Sequence, residues 1–125
     1  MAKHQTIHAV IADSSRIVVE SLSSNLTRDR RISIVGTASS AQELIAVAKA
    51  SQPDLILTSV HLENVDGAEC ISTLRLLLAE VRIIVFSVYD LLMTRIIFLE
   101  AGADVVVQGN QLHERIAAQI RRLFP

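Results

Sequence analysis

Asp13, Ser14, Ser59 and Ser87, with the pair Gln108-Gly109, are the polar residues at which four apolar stretches of the chain stop. Gathered in one place they would make a hydroxyl-rich cluster with a single carboxylate, and no lysine or arginine stands at any of these ends. Few chemistries can use such a set. Magnesium takes near-octahedral oxygen ligation with one or two carboxylates, so Asp13 is a weak metal candidate. Asp13 reads better as the cap of a following helix. Ser59 lies two residues before His61, which raises serine nucleophilic catalysis. No Gly-x-Ser-x-Gly elbow surrounds it, and strand-end neighbours two apart need not face each other. Ser14 and Ser15 at a helix start could hold a phosphate. However, the chain has neither a Gly-x-Gly-x-x-Gly nor a Walker motif, and Tyr89 alone could supply a flavin wall. His4, His8, His61 and His113 show no paired zinc spacing. No cofactor, resident metal or enzymatic activity is expected.

The elements that must position these residues alternate. Apolar, β-branched runs cover 7–12, 32–36, 54–59, 81–87 and 103–108. Segments of helical spacing lie between and after them, at about 14–27, 40–51, 66–79, 90–101 and 111–123. Strands alternating with helices predict an α/β domain whose parallel sheet is covered on both faces. No Asn-Gly or Asp-Gly pair joins two strand runs directly, which argues against an antiparallel sheet. Ser40 with Glu43 forms a capping box, and Asp66 with Glu69 repeats it. Asn110 is the expected cap of the last helix, and Gly102 the terminator of the fourth.

Bulk properties agree with one domain. The chain has 125 residues, half of them hydrophobic and 3% aromatic, so one largely aliphatic core is expected. A formal net charge of −1 gives no general attraction to nucleic acid or anionic membrane. Cys70 is the one cysteine and reads as a small buried hydrophobe. No apolar run approaches a membrane span and the start carries no signal-peptide pattern, so a cytoplasmic location is expected.

From about residue 7 to residue 123 the chain resembles a response-regulator receiver domain, most closely those of LuxR-type regulators. Three stretches carry the resemblance. Gln52 to Ser59 followed by Val60 to Gly67 (QPDLILTS-VHLENVDG) is similar to the family's third strand and loop. Leu99 to Asp104 (LEAGAD) is similar to its signature before the fifth strand, and Ser33 to Ala38 (SIVGTA) with the Glu43-Leu44 helix also fits. The resemblance implies a flavodoxin-like, doubly wound five-stranded parallel sheet in the order 2-1-3-4-5, with five helices.

It also implies roles. In receivers an aspartate ending the third strand takes phosphate from a histidine kinase. An acidic pair after the first strand holds magnesium, a Thr or Ser ends the fourth strand, and a Lys ends the fifth. Carried over, the acceptor falls on Ser59, the acidic pair on Asp13 and Ser14, and the hydroxyl on Ser87. The lysine falls on Gln108 or Gly109, and an aromatic switch residue falls near Val106. A serine cannot replace the aspartate in this chemistry, because a hydroxyl must lose its proton to attack whereas the carboxylate is already ionised. The expectation is a pseudo-receiver that acts without phosphorylation. It would act through a protein partner or a homodimer, using the face formed by the fourth helix, fifth strand and fifth helix. It would not contact nucleic acid or membrane. Leu91, Leu92, Met93, Ile97 and Phe98 exceed the stripe a surface helix must bury; with Arg115 they are the interface candidates. Two alternatives stay open. One is a working phosphoreceiver with Ser59 or Asp13 as acceptor; the other is a small-ligand sensor built on Ser14, Ser59 and Ser87. Receivers of this type usually precede a DNA-binding helix-turn-helix. None is expected in this chain, which reads as a stand-alone adaptor or the N-terminal domain of a transcription regulator.

Overall fold

The computed structural model of the chain describes residues 5–63 and 67–125. Strands and helices alternate: β1 (Ile7–Ala12), α1 (Arg16–Leu26), β2 (Ile32–Ala38), α2 (Ala41–Ser51), β3 (Leu55–Ser59), α3 (Gly67–Leu77), β4 (Arg82–Ser87), α4 (Leu92–Ala101), β5 (Val105–Gln108) and α5 (Leu112–Leu123). The strands form one parallel sheet in the order β2-β1-β3-β4-β5. This is the flavodoxin-like order, with its switch point between β1 and β3.

Side chains alternate across a strand, and here the alternation sorts the core into two layers. Val10, Ala12, Ile56, Ile83, Val85 and Val106 face α2, α3 and α4, where they meet Leu44, Leu74 and Phe98. Ile11, Leu55, Leu57, Ile84, Phe86 and Val107 face α1 and α5, where they meet Leu22, Ile116 and Ile120. Because both faces are covered, β3 is buried at every position and β1 and β4 at all but one, rather than at every second one. Cys70 lies in the first layer, and burial pushes its thiol up to about 11. It is protonated near neutral pH and packs as a small hydrophobe.

The predicted caps fare unevenly. Ser40 caps α2, with its Oγ accepting from the Glu43 amide at 3.2 Å. Gly102 ends α4 at a φ of 125°, a conformation L side chains rarely adopt. Asn110 does not cap α5: the cap position is Gln111, at a φ of 55° and with no side-chain cap bond. Asp13 does not cap α1 either. Ser15 does, its Oγ accepting from the Val18 amide, while Asp13 accepts one step earlier, from the Ser15 amide at 2.7 Å. Asp66 lies outside the described residues.

Arg75 locks the bottom of the sheet to α3. Its guanidinium donates to the carbonyls of Val81 at 2.6 Å, Ala79 at 3.1 Å and Gly102 at 2.9 Å, and to Asp104 Oδ2 at 2.9 Å. Asp104 in turn accepts the Ile83 amide at 2.8 Å. Arg75→Ala is expected to cost about 2–3 kcal/mol in urea unfolding, since it strips a partly buried carboxylate and several carbonyls of donors. Arg75→Lys should recover only part of this, because an ammonium cannot span the same fork of acceptors. A loss below about 0.5 kcal/mol for the alanine variant, the range of ordinary surface changes, would refute the assignment.

Candidate functional site at the strand ends

The carboxyl ends of β1, β3 and β4 meet over a pocket of about 330 Å³. Its position follows from register. Ala12 pairs with Thr58 and Ser59 with Phe86. Asp13 and Ser59 therefore stand side by side, each one residue beyond that Ala12–Thr58 pair. Both are buried, as is Ser87 (7%, 3% and 3% exposed). Val18 and Leu22 of α1, Phe86, Val88 and Leu112 of α5 form apolar walls, and His61 and His113 complete the lining.

The hydroxyls are already half engaged. Ser59 Oγ accepts from the His61 amide at 2.9 Å, and Ser87 Oγ accepts from the Tyr89 amide at 3.1 Å. These are local turns that close the β3 and β4 ends. Asp13 Oδ1 is held by the Ser15 amide. His61 stands at the rim, its ring edge-on to that of Tyr89 at 5.9 Å.

The sequence expects Ser14, Gln108 and Gly109 at the same place, and the structure separates them from this pocket. Ser14 is exposed, and its amide donates to the His61 carbonyl at 3.0 Å. Gln108 shares strand parity with Val106 and so faces α4. Its Nε2 donates to the Leu91 carbonyl at 3.0 Å, and its Oε1 is buried without a partner. Gly109 turns the chain at a φ of 94° and lines a neighbouring surface depression rather than this pocket. Sequence reasoning weighs His61 beside Ser59 and sets it aside, and it gives His113 no link to the strand ends. The two histidines stand 52 positions apart, His61 in the loop after β3 and His113 at the start of α5, and the topology brings both to the lining of one pocket.

The donor set is a weak match for the magnesium on which receiver chemistry depends. Among the described residues Asp13 is the pocket's one carboxylate. Among the described residues no group of three His, Cys, Asp or Glu could hold a metal ion. One carboxylate is the low end of the one or two with which proteins hold magnesium. Among the described residues no lysine or arginine lines the pocket to pair with an anion.

A second feature lies beside the pocket. Helix α4 buries one large apolar side chain, Phe98, at 8% exposure, which removes Phe98 from the expected contact surface. Leu91, Leu92, Met93 and Ile97 are exposed at 45–70%, and Ile96 and Leu99 join them. Val88 and Tyr89 extend the apolar surface into the loop before the helix. Arg115 is exposed, but its guanidinium donates to the carbonyls of Gln108 and Asn110, so it braces the β5–α5 turn. Among the described residues, no helix is long and apolar enough to cross a membrane.

With this geometry described, comparison with known proteins is informative. The family model described as "Response regulator receiver domain" matches residues 9–121. Response regulator protein VraR of Staphylococcus aureus (strain Mu3 / ATCC 700698) is 29% identical over 119 residues, 94% of this chain and 56% of VraR. The chain thus spans about half the length of that relative. The two-component response regulator of the LuxR family from Aurantimonas sp. SI85-9A1 superposes with a TM-score of 0.89 at 21% identity, covering 95% of this chain and 85% of that one. The CheX-CheY-BeF3-Mg complex from Borrelia burgdorferi gives 0.87 at 19% identity, covering 97% and 91%. At such identities the two structures speak for the fold.

Proposed function

Since the chain belongs to the response regulator receiver family, we propose that it is a receiver domain of two-component signalling that works without phosphorylation. In this reading α4 and its surroundings meet a protein partner or a second copy of the chain. The carrying observation is the end of β3. There the receiver's phosphate-accepting position, by resemblance, holds Ser59, a buried hydroxyl whose oxygen accepts the His61 amide. An aspartate acceptor attacks as a carboxylate that is ionised well below neutral pH, whereas a serine must first lose a proton. Among the described residues Asp13 is the one acid in the pocket, and no lysine or arginine lines it to pair with a phosphoryl group.

Receivers work by biasing an equilibrium between two states. Without phosphate, that bias must come from the sequence or from whatever binds. The exposed apolar face of α4 supports contact as the output. The CheY of the Borrelia complex shares this fold and is bound to CheX.

The test is intact mass after incubation with magnesium and acetyl phosphate, with a receiver that carries the aspartate as control. The expected mass is unchanged while the control gains a phosphoryl group. A phosphoryl gain on this chain would overturn the reading. It would favour a second one, in which Ser59 or Asp13 is an unusual acceptor. His61 and His113, which line the same pocket as Ser59, would be the candidate bases in that second reading.

A further inference from the structure

We infer that the pocket between α1 and α5 is a binding site for a small neutral molecule with an apolar body and an amide-type head. This deepens the proposed function and rests on it: the ligand would supply the input that phosphate supplies elsewhere. The pocket, about 330 Å³, falls at the lower end of small-molecule cavities, which start near ~300 Å³. Its walls are the aliphatic side chains of Val18, Leu22, Val88 and Leu112 and the ring of Phe86. Such walls suit a ring or a short branched chain and disfavour a bare inorganic anion.

The head group follows from the unused hydrogen-bonding capacity. Ser59 and Ser87 each accept a backbone amide through Oγ, and among the described residues neither hydroxyl proton has an acceptor. Each can therefore donate inward. Asp13 spends Oδ1 on the Ser15 amide and keeps Oδ2 as an acceptor. All three side chains are more than nine-tenths buried and line the cavity. Two donors and one acceptor at the end of an apolar slot match a group that carries a carbonyl and an N–H together. A carboxylate or phosphate would sit against Asp13 with no lysine or arginine to offset it. The site also adjoins the surface proposed for contact. It joins α1 to the start of α5 and includes Ser87 and Val88, which lead into the exposed surface of α4.

Benzamide is a suitable probe, followed by ¹H–¹⁵N correlation spectra of the full chain, with benzoate as the charged analogue. Benzamide should give saturable shifts at the amides of Ser59, His61, Ser87 and Leu112, and benzoate should bind at least about tenfold more weakly. Leu112→Trp, which fills the pocket, should abolish the shifts. The Ser59→Ala, Ser87→Ala double variant should weaken benzamide about tenfold. The double variant keeps the test decisive if the tryptophan variant fails to fold. Shifts that never saturate, that map elsewhere, or that are as strong with benzoate would overturn the inference. Phosphoryl uptake in the mass experiment would sink the phosphate-free reading. An unchanged mass with no benzamide titration would sink the ligand site alone.

Discussion

Ser59→Asp is expected to cost about 2–3 kcal/mol of folding stability in metal-free buffer and to regain part of it in magnesium, whereas the parent chain is indifferent to magnesium. The cost comes from position. Ser59 is buried at the end of β3, next to Asp13 at the end of β1. A second carboxylate there loses water and faces a like charge at close range, so it must either stay protonated or destabilise the fold. The His61 amide can still donate to it, which limits the loss. Magnesium is usually held by one or two carboxylates beside waters, and the substitution raises the site from one to two. Binding to the folded state alone adds RT ln(1 + [Mg]/Kd), about 1.4 kcal/mol at ten times the dissociation constant. Urea unfolding of both chains with and without magnesium chloride measures this. An equal magnesium response from the parent would mean that Asp13 and the hydroxyls already form a cation site, and it would count against the proposed reading.

The same substitution should not by itself make a working phosphoreceiver. The resemblance puts the receiver's lysine at Gln108 or Gly109. Gln108 is buried on the α4 side of the sheet, with its amide on the Leu91 carbonyl. Gly109 sits at a φ of 94°, where a lysine would be strained. Neither backbone position offers a cation to the pocket without local rebuilding.

Much of the fold was legible because fully covered parallel strands announce themselves as continuous apolar runs, and helices by capping residues. Ile7–Ala12 was read to the residue, and the sheet order followed from the resemblance. The edges were less legible. β2 runs on to Ala38 rather than stopping at residue 36, over a register shift against Ala9 and Val10. β5 begins at Val105, because Asp104 spends its carboxylate on the Ile83 amide and Arg75. The site was half legible. Strand ends gave Asp13, Ser59 and Ser87. The period of two along β5, applied strictly, would have turned Gln108 away from them. His61 was marked only by its place two residues after Ser59, and nothing local marked His113. Phe98 was misjudged because α4 is apolar nearly all round, so spacing alone does not say which face is buried. The Asn110 cap failed for a related reason: Gln111 takes a positive φ that its residue type does not advertise.

Leu92→Asp and Ile97→Asp are expected to leave folding stability within about 0.5 kcal/mol of the parent and to weaken association with a second copy or a partner by about 30-fold or more. The first half follows from exposure. Leu92 is 70% exposed and Ile97 45%, so a charge at either position meets water in the monomer. Phe98→Ala is the contrast. It opens a void in the layer around Ile71, Leu74 and Val106 and should cost about 3 kcal/mol or more. The second half follows from what an exposed apolar helix face does at an interface. A buried aspartate there would be unpaired, at a cost of several kcal/mol, and 30-fold in affinity is about 2 kcal/mol. Equilibrium sedimentation over a range of concentrations gives self-association for the parent and both variants, and urea unfolding gives their stabilities. A parent that stays monomeric at high concentration would move the contact to a different protein, and the two aspartates then become the control in a search for it. A parent that associates equally well after both substitutions would remove α4 from the interface. The output would then have to lie on another surface of the domain.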